Sequence, residues 1–221
     1  MTVEPKTIAV IGGTGAEGRG LALRWAAAGH HVIVGSRDAA RAQAAAKEIA
    51  AKLPSARIEG AVSLDAAQKA GIVVLAVPYA VQLETVRGIK PALAGKILID
   101  VTVPLVPPKV SRVQLPEDDS CVIRVQRELG ESTQVVSAFQ NVSAHKLADL
   151  AQRIACDVLV CSDSKEARQV AIGLAQDAGL RGIDAGPLAN STAAEALTSV
   201  LIWINRTYKV PDAGLAITGL P

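Results

Sequence analysis

The residues that most constrain this chain are Thr7-Ile8-Ala9-Val10-Ile11-Gly12-Gly13-Thr14-Gly15-Ala16-Glu17-Gly18, an apolar run that breaks directly into glycines. This order predicts a strand, a tight turn and a helix start, with Gly13, Gly15 and Gly18 in a G-x-G-x-x-G pattern. In such a unit Gly13 permits the turn, and Gly15 lets the backbone approach a pyrophosphate with no Cβ in the way. Gly18 lets the helix pack closely on the strand. The helix start adds free N–H groups and the positive end of a dipole, which together favour a bound phosphate. The pattern by itself is common. Its place inside a strand-turn-helix unit is what makes it informative.

The cofactor is read from the second strand, expected at His31-Val32-Ile33-Val34-Gly35 after a helix over 19–28. A site for NAD places Asp or Glu at the end of that strand, to accept hydrogen bonds from the ribose hydroxyls. Here the strand runs into Ser36-Arg37, with Arg41 one helical turn further on. A carboxylate would repel a 2′-phosphate, whereas a hydroxyl and two guanidinium groups bind it through charge-assisted hydrogen bonds. Asp38 is expected to cap the Ala-rich helix over 39–53. The expected cofactor is therefore NADP(H).

With 221 residues, half of them hydrophobic and 20% charged, the chain can bury a substantial core as one large α/β domain or two small ones. No apolar run reaches the roughly 18 residues of a membrane span, and the first residues lack a basic-then-apolar pattern. The expectation is a cytoplasmic protein with no membrane partner. A formal charge of +2 gives no electrostatic case for nucleic acid. Two Trp, two Tyr and one Phe are too few for a base-stacking platform. Cys121, Cys156 and Cys161 lie in or beside apolar segments at spacings that match neither a zinc site nor a redox pair, so free buried thiols are expected.

Further along, strands are expected over 56–62, 72–77, 96–101, 134–139, 157–161 and 179–184. Helices are expected over 63–70 (capped by Ser63), 81–89, 117–129, 145–154, 165–178 and 193–207. The alternation argues for a Rossmann-type, doubly wound, mostly parallel sheet with a small C-terminal helical lid. Residues 1–185 form the expected dinucleotide-binding unit and 186–221 the closing segment, with Asn190-Ser191 as the cap of the last helix. In such sheets ligands bind beyond the carboxyl ends of the strands. The loops that collect there are 12–18, Ser36-Arg37, Val77-Pro78-Tyr79, the segment around Val103 and the segment from Gln140 to Ala144. Pro78 and Tyr79 are expected at the nicotinamide, Tyr79 offering a flat aromatic face. Asp100 ends a strand on this side and could support the site.

Four segments taken together carry a family resemblance. Ile11-Gly12-Gly13-Thr14-Gly15, Gly35-Ser36-Arg37, Val135-Val136-Ser137-Ala138-Phe139 and Asp184-Ala185-Gly186-Pro187-Leu188-Ala189-Asn190-Ser191 resemble the NADPH-dependent reductases of coenzyme F420, through the closing Asp212-Ala213-Gly214-Leu215. A similar cofactor domain occurs in membrane-bound metalloreductases. The resemblance implies that Thr14, Gly15, Ala16, Glu17, Ser36, Arg37 and Arg41 hold NADP(H), and that the loop after Phe139 and the Gly186–Asn190 segment receive the deazaflavin. Gln140, Asn141, Ser143 and Ala144 would edge the acceptor ring on one side. Pro187, Leu188 and Asn190 would close the other, with Ala213 nearby. Gln140 stands where some members carry histidine, which leaves a flavin as the alternative acceptor. The expected assembly is a homodimer acting on small molecules.

Hydride transfer between planar rings asks little of side-chain chemistry, and no acid–base constellation stands out in the sequence. Two other readings remain open from the sequence. One is a small imine or keto-acid reductase, against which the missing long helical dimerisation domain speaks. The other is a non-catalytic NADP(H)-sensing module, for which the acceptor-side loops would be superfluous.

Overall fold

The computed structural model describes residues 4–117 and 120–220. Its frame is a six-stranded, all-parallel sheet of β1 (Thr7–Ile11), β2 (His31–Ser36), β3 (Ile58–Val62), β4 (Ile72–Leu75), β5 (Ile97–Asp100) and β6 (Gln134–Ser137). The spatial order is β3-β2-β1-β4-β5-β6. Successive strand residues point to opposite faces, so Ile8 and Val10 enter one core while Ala9 and Ile11 enter the other. The first face is covered by α1 (Ala16–Ala27), α2 (Ala39–Lys52), α6 (Ala144–Leu147) and α7 (Lys165–Asp177). The second is covered by α3 (Ser63–Lys69), α4 (Gln82–Ile89) and α5 (Cys121–Leu129). A strand covered on both faces has no polar side to show, which is why β1 and β4 read as unbroken apolar runs.

The doubly wound expectation holds, with local corrections. β7 (Asp157–Val160) and β8 (Arg181–Asp184) do not extend the main sheet but pair with each other in a separate parallel ribbon. One antiparallel bridge, Ser137 with Cys161, ties the ribbon to β6. The expected strand over 134–139 stops at Ser137, because Phe139 takes a left-handed φ of 72° and turns the chain. The helix expected over 145–154 lasts only four residues, Ala144–Leu147. Ser63 is the first helical residue of α3 and caps nothing. α5 begins at Cys121 with Ser120 as its cap, and the expected start over 117–120 includes Asp118 and Asp119, which lie outside the described residues. Asn190 precedes the last helix, α8 (Ser191–Tyr208), without capping it, because its amide donates to Ala185 O at 2.7 Å.

Two buried polar anchors organise the packing. Arg24 on α1, only 6% exposed, sends Nε to Leu147 O at 3.0 Å and Nη1 to Ala178 O at 3.0 Å. Its Nη2 reaches Lys146 O, Asp149 O and Gln152 O at 2.9, 2.7 and 3.2 Å. Lys146 O, Leu147 O and Ala178 O lie where α6 and α7 end, a partly negative surface suited to a guanidinium. At the other face Glu195 of α8 accepts from Ser120 Oγ at 2.5 Å, Cys121 N at 2.9 Å and Val122 N at 3.2 Å. That carboxylate completes the N-terminal cap of α5 and fastens α8 to the sheet. Beside Arg24, Trp25 donates to Leu174 O and meets Phe139 edge-on, ring centres 5.7 Å apart. Replacing the guanidinium with a similar apolar stem, Arg24→Met, takes this donor from five carbonyls, of which Lys146 O and Asp149 O keep a backbone N–H. Urea unfolding should show a loss of about 3 kcal/mol or more, and a loss below about 1 kcal/mol would contradict this account.

Candidate functional site

The carboxyl ends of β1, β2 and β4 meet at the glycine turn. Gly12 carries the positive φ, 86°, and a Cβ there would run into the carbonyl of Ala76. The left-handed residue of the turn is therefore Gly12 rather than Gly13. Gly13 is required for space instead, since a Cβ would stand 2.9 Å from Val10 O and 3.1 Å from Val34 Cγ1. Gly18 packs α1 against the turn, where an added Cβ would lie 2.7 Å from Gly12 O. Gly15 is different. A Cβ there would find only Gly12 O at 3.3 Å and otherwise open space, so this face of the backbone is free for a ligand. Gly15 also occupies the N-cap of α1 with no side chain capping it, which leaves the first N–H groups of the helix available.

A cleft of about 390 Å³ opens over this turn. It brings together Thr14, Gly15, Ser36, Arg37, Arg41, Val77 and Pro78, all expected from the sequence, with Gly12, Asp38, Ser63, Val81 and Thr85 added. Asp38 lies at the wall, but its Oδ1 accepts from Ala40 N at 2.8 Å and Arg41 N at 3.3 Å, capping α2 as expected. The end of β2 is thus left to Ser36 and two exposed arginines, neither of which has an ion pair among the described residues. The cleft fits a dinucleotide phosphate in chemistry: an open glycine backbone, uncapped N–H groups and a cationic far end. Ser63, Val81 and Thr85 carry no motif signal, because only the order of the strands puts α3 and α4 beside the turn.

The acceptor-side residues are placed elsewhere. Gln140 and Asn141 are buried and spend their amides on the frame. Gln140 Nε2 donates to Asp100 O at 2.8 Å, and Asn141 Nδ2 donates to Asp157 O at 2.7 Å. Thr198 Oγ1 of α8 donates to Gln140 O at 2.7 Å. Gln140, Asn141, Ser143 and Ala213 line a small cavity of about 150 Å³ against α8. Tyr79 turns its hydroxyl and ring to Arg124, whose Nη1 donates to the phenol oxygen at 2.6 Å. Val103 is half-buried, Pro187 and Asn190 are exposed, and Leu188 is buried beneath α5. None of these four lines the cleft over the glycine turn. Asp100 is a support, sealed under the loop with Oδ1 accepting from Thr102 N at 2.9 Å and Oδ2 from Gln82 Nε2 at 2.6 Å. Its burial pushes its pKa up to about 6.

A larger cavity, about 690 Å³, lies on the far side of the turn between α1, α2 and α6, and takes in Ala16 and Ala144. It shares Thr14 with the dinucleotide cleft but lies off the strand ends, so size alone does not mark the site. Glu17 follows Ala16 on α1. Although the residue as a whole is half-buried, its Oε1 is sealed from solvent and has no hydrogen-bond partner. Burial pushes its pKa from 4.5 up to about 8. Glu17 is therefore mostly neutral at pH 7 and puts little negative charge against a phosphate on the same helix start. Because the folded pKa is raised, this group's contribution to stability is complete below pH 4.5 and is lost as pH rises through about 8. Glu17→Gln should remove that slope, so the Tm of the variant relative to the natural chain climbs from about pH 5 to about pH 9. Parallel curves across the range would contradict it.

Residues 7–104 match the family model described as NADP oxidoreductase coenzyme F420-dependent. The F420-dependent NADP reductase of Methanothermobacter marburgensis is 41% identical over 97% of this chain and 99% of its own. That of Methanocaldococcus jannaschii is 42% identical over 96% and 98%. A solved structure from Arthrobacter sp. FB24 superposes with a TM-score of 0.77 at 27% identity, covering 97% of this chain and all of the other. No helix among the described residues is long and apolar enough to cross a membrane. With matches of this identity running from end to end, the chain belongs to the family of F420-dependent NADP reductases.

Proposed function

We propose that this protein transfers a hydride between NADP(H) and coenzyme F420, a deazaflavin bound against the nicotinamide. The observation that carries this reading is the cleft itself, a glycine turn with an open Gly15 face leading to Ser36, Arg37 and Arg41 where an NAD site would hold a carboxylate. When bound, the nicotinamide and the deazaflavin supply the redox chemistry between them. The chain's own work is placement. Thr14, Gly15 and the first N–H groups of α1 receive the diphosphate, while Ser36 and the two arginines receive the 2′-phosphate. Val77 and Pro78 wall the opposite end of the cleft. The loop from Gln140 to Ala144 forms the acceptor's seat, offering its backbone because the Gln140 and Asn141 amides are committed to the frame and the Ser143 hydroxyl to Asp212.

The second acceptor reading, a flavin, is supported by the Gln140 position alone and is settled by the same assay. Steady-state kinetics with NADPH and each of a deazaflavin, FMN and riboflavin should show turnover with the deazaflavin. Negligible turnover with all three would reject the assignment. In calorimetry NADPH should bind about tenfold tighter than NADH or better, and Arg37→Glu should erase or invert that preference. Equal affinities for the natural chain would sink the cofactor reading.

The assembly we propose is a homodimer through α8. Val200 and Trp203 stand one helical turn apart on that helix and Tyr208 lies at its end, and Trp203 and Tyr208 are 61% and 72% exposed. Sedimentation should find a dimer for the natural chain and a monomer for Trp203→Glu. A monomeric natural chain would exclude this interface.

A further inference from the structure

The segment after α8 reverses direction at Lys209, whose φ of 52° is left-handed, and returns along the acceptor loop. Asn205 guides the return, its carbonyl accepting from Val210 N at 3.1 Å and its Oδ1 from Ala213 N at 2.8 Å. The chain then pairs beside β7, with Asp157 N donating to Leu215 O at 2.8 Å and Ile217 N to Asp157 Oδ2 at 2.6 Å. Gly214 keeps this path open, since a Cβ there would stand 3.1 Å from Cys156 Cβ.

Between these two fixed points sits Asp212, and three side chains from one short stretch converge on it. Ser143 Oγ donates to Oδ1, His145 Nδ1 lies 3.4 Å from Oδ2, and Lys146 Nζ donates to the main-chain carbonyl at 2.6 Å. The Asp212 side chain is only 10% exposed. The Ser143 hydrogen bond, followed by His145 and Lys146, holds its carboxyl below the usual carboxylate range, so it is ionised at neutral pH. The same serine caps α6, its Oγ accepting from Lys146 N at 3.4 Å. One hydroxyl therefore links the tail to the start of α6. The early part of the loop is already tied down through Gln140 and Asn141, but those amides leave the Ser143–Lys146 end free on its outer side.

We propose that Asp212 is a positioning residue for the acceptor, fastening the Ser143–Lys146 stretch to the C-terminal tail and so fixing the outer edge of the acceptor's seat. This rests on the reading that the loop from Gln140 to Ala144 receives the acceptor. The latch lies away from the dinucleotide cleft, none of whose lining residues it touches. It should therefore govern acceptor affinity separately from cofactor affinity. Asp212→Asn keeps an oxygen for the Ser143 hydroxyl and keeps the carbonyl for Lys146. Asp212→Ala keeps only the carbonyl.

The test is kinetics with a deazaflavin acceptor alongside calorimetric NADPH binding. Asp212→Ala should raise KM for the deazaflavin about tenfold, with kcat within about threefold of the natural chain. NADPH affinity should stay within about twofold, which also reports that the fold is intact. Asp212→Asn should recover most of the lost acceptor affinity, and Ser143→Ala should reproduce much of the Asp212→Ala defect. An unchanged KM in Asp212→Ala would overturn the proposal, as would an equal loss of NADPH and acceptor affinity, which would mark a general structural role. If the natural chain binds NADPH but turns over no deazaflavin, the functional reading has failed and takes this proposal with it.

Discussion

The interaction on which the rest of the site depends is the buried guanidinium of Arg24. Its five contacts are all to main-chain carbonyls, at Lys146, Leu147, Asp149, Gln152 and Ala178. Arg24 lies on the helix that begins at the glycine turn, and four of the five carbonyls belong to the stretch that follows the acceptor loop. One side chain thus sets the position of the stretch after the Gln140–Ala144 loop against α1. Arginine suits this because its donors lie in one plane and spread over a wide arc, whereas a lysine ammonium reaches fewer acceptors from a single point. Helix C-termini present unpaired carbonyls with the negative end of the dipole, so burial of the cation is offset without a carboxylate partner.

Much of the cofactor half was legible in the sequence because its signals are local. The strand, glycines and helix start are contiguous, and the identity of the residue ending β2 is a question about one position. The acceptor half was less legible because its residues answer to partners far along the chain. The resemblance implied Gln140 and Asn141 as ring contacts, whereas their amides go to the carbonyls of Asp100 on β5 and Asp157 on β7. The overlong helix over 145–154 has the same origin. It ends early because carbonyls that would carry it past Leu147 turn toward Arg24 instead. Phe139 gave no warning either. A phenylalanine in a left-handed turn costs on the order of 1 kcal/mol, and its fully buried ring against Trp25 is what holds it there.

Glu195 shows the same logic on the opposite face. Its carboxylate is buried, and burial raises its pKa despite three donors that favour the charged form. The like charge of Glu195 in turn adds to the rise in the pKa of Asp100, which burial causes in the main. Nothing in the helical pattern of α8 distinguishes Glu195 from a solvated glutamate. Only the packing of α8 against the start of α5 gives it this partner.

In the proposed site these anchors let hydride transfer proceed without a catalytic acid or base. Transfer between two rings depends steeply on their separation and alignment, so the contribution a protein can make is to fix both before the reactants meet. The path proposed for the cofactor runs over the glycine turn, where Gly12, Gly13 and Gly18 each stand where a Cβ would collide. The acceptor loop is fixed from three directions, by Gln140 on β5, by Asn141 on β7 and by Thr198 of α8. Arg24 joins the two halves from beneath. A substitution at any of these buried anchors is therefore expected to act on geometry, lowering turnover while leaving the identity of the bound rings unchanged.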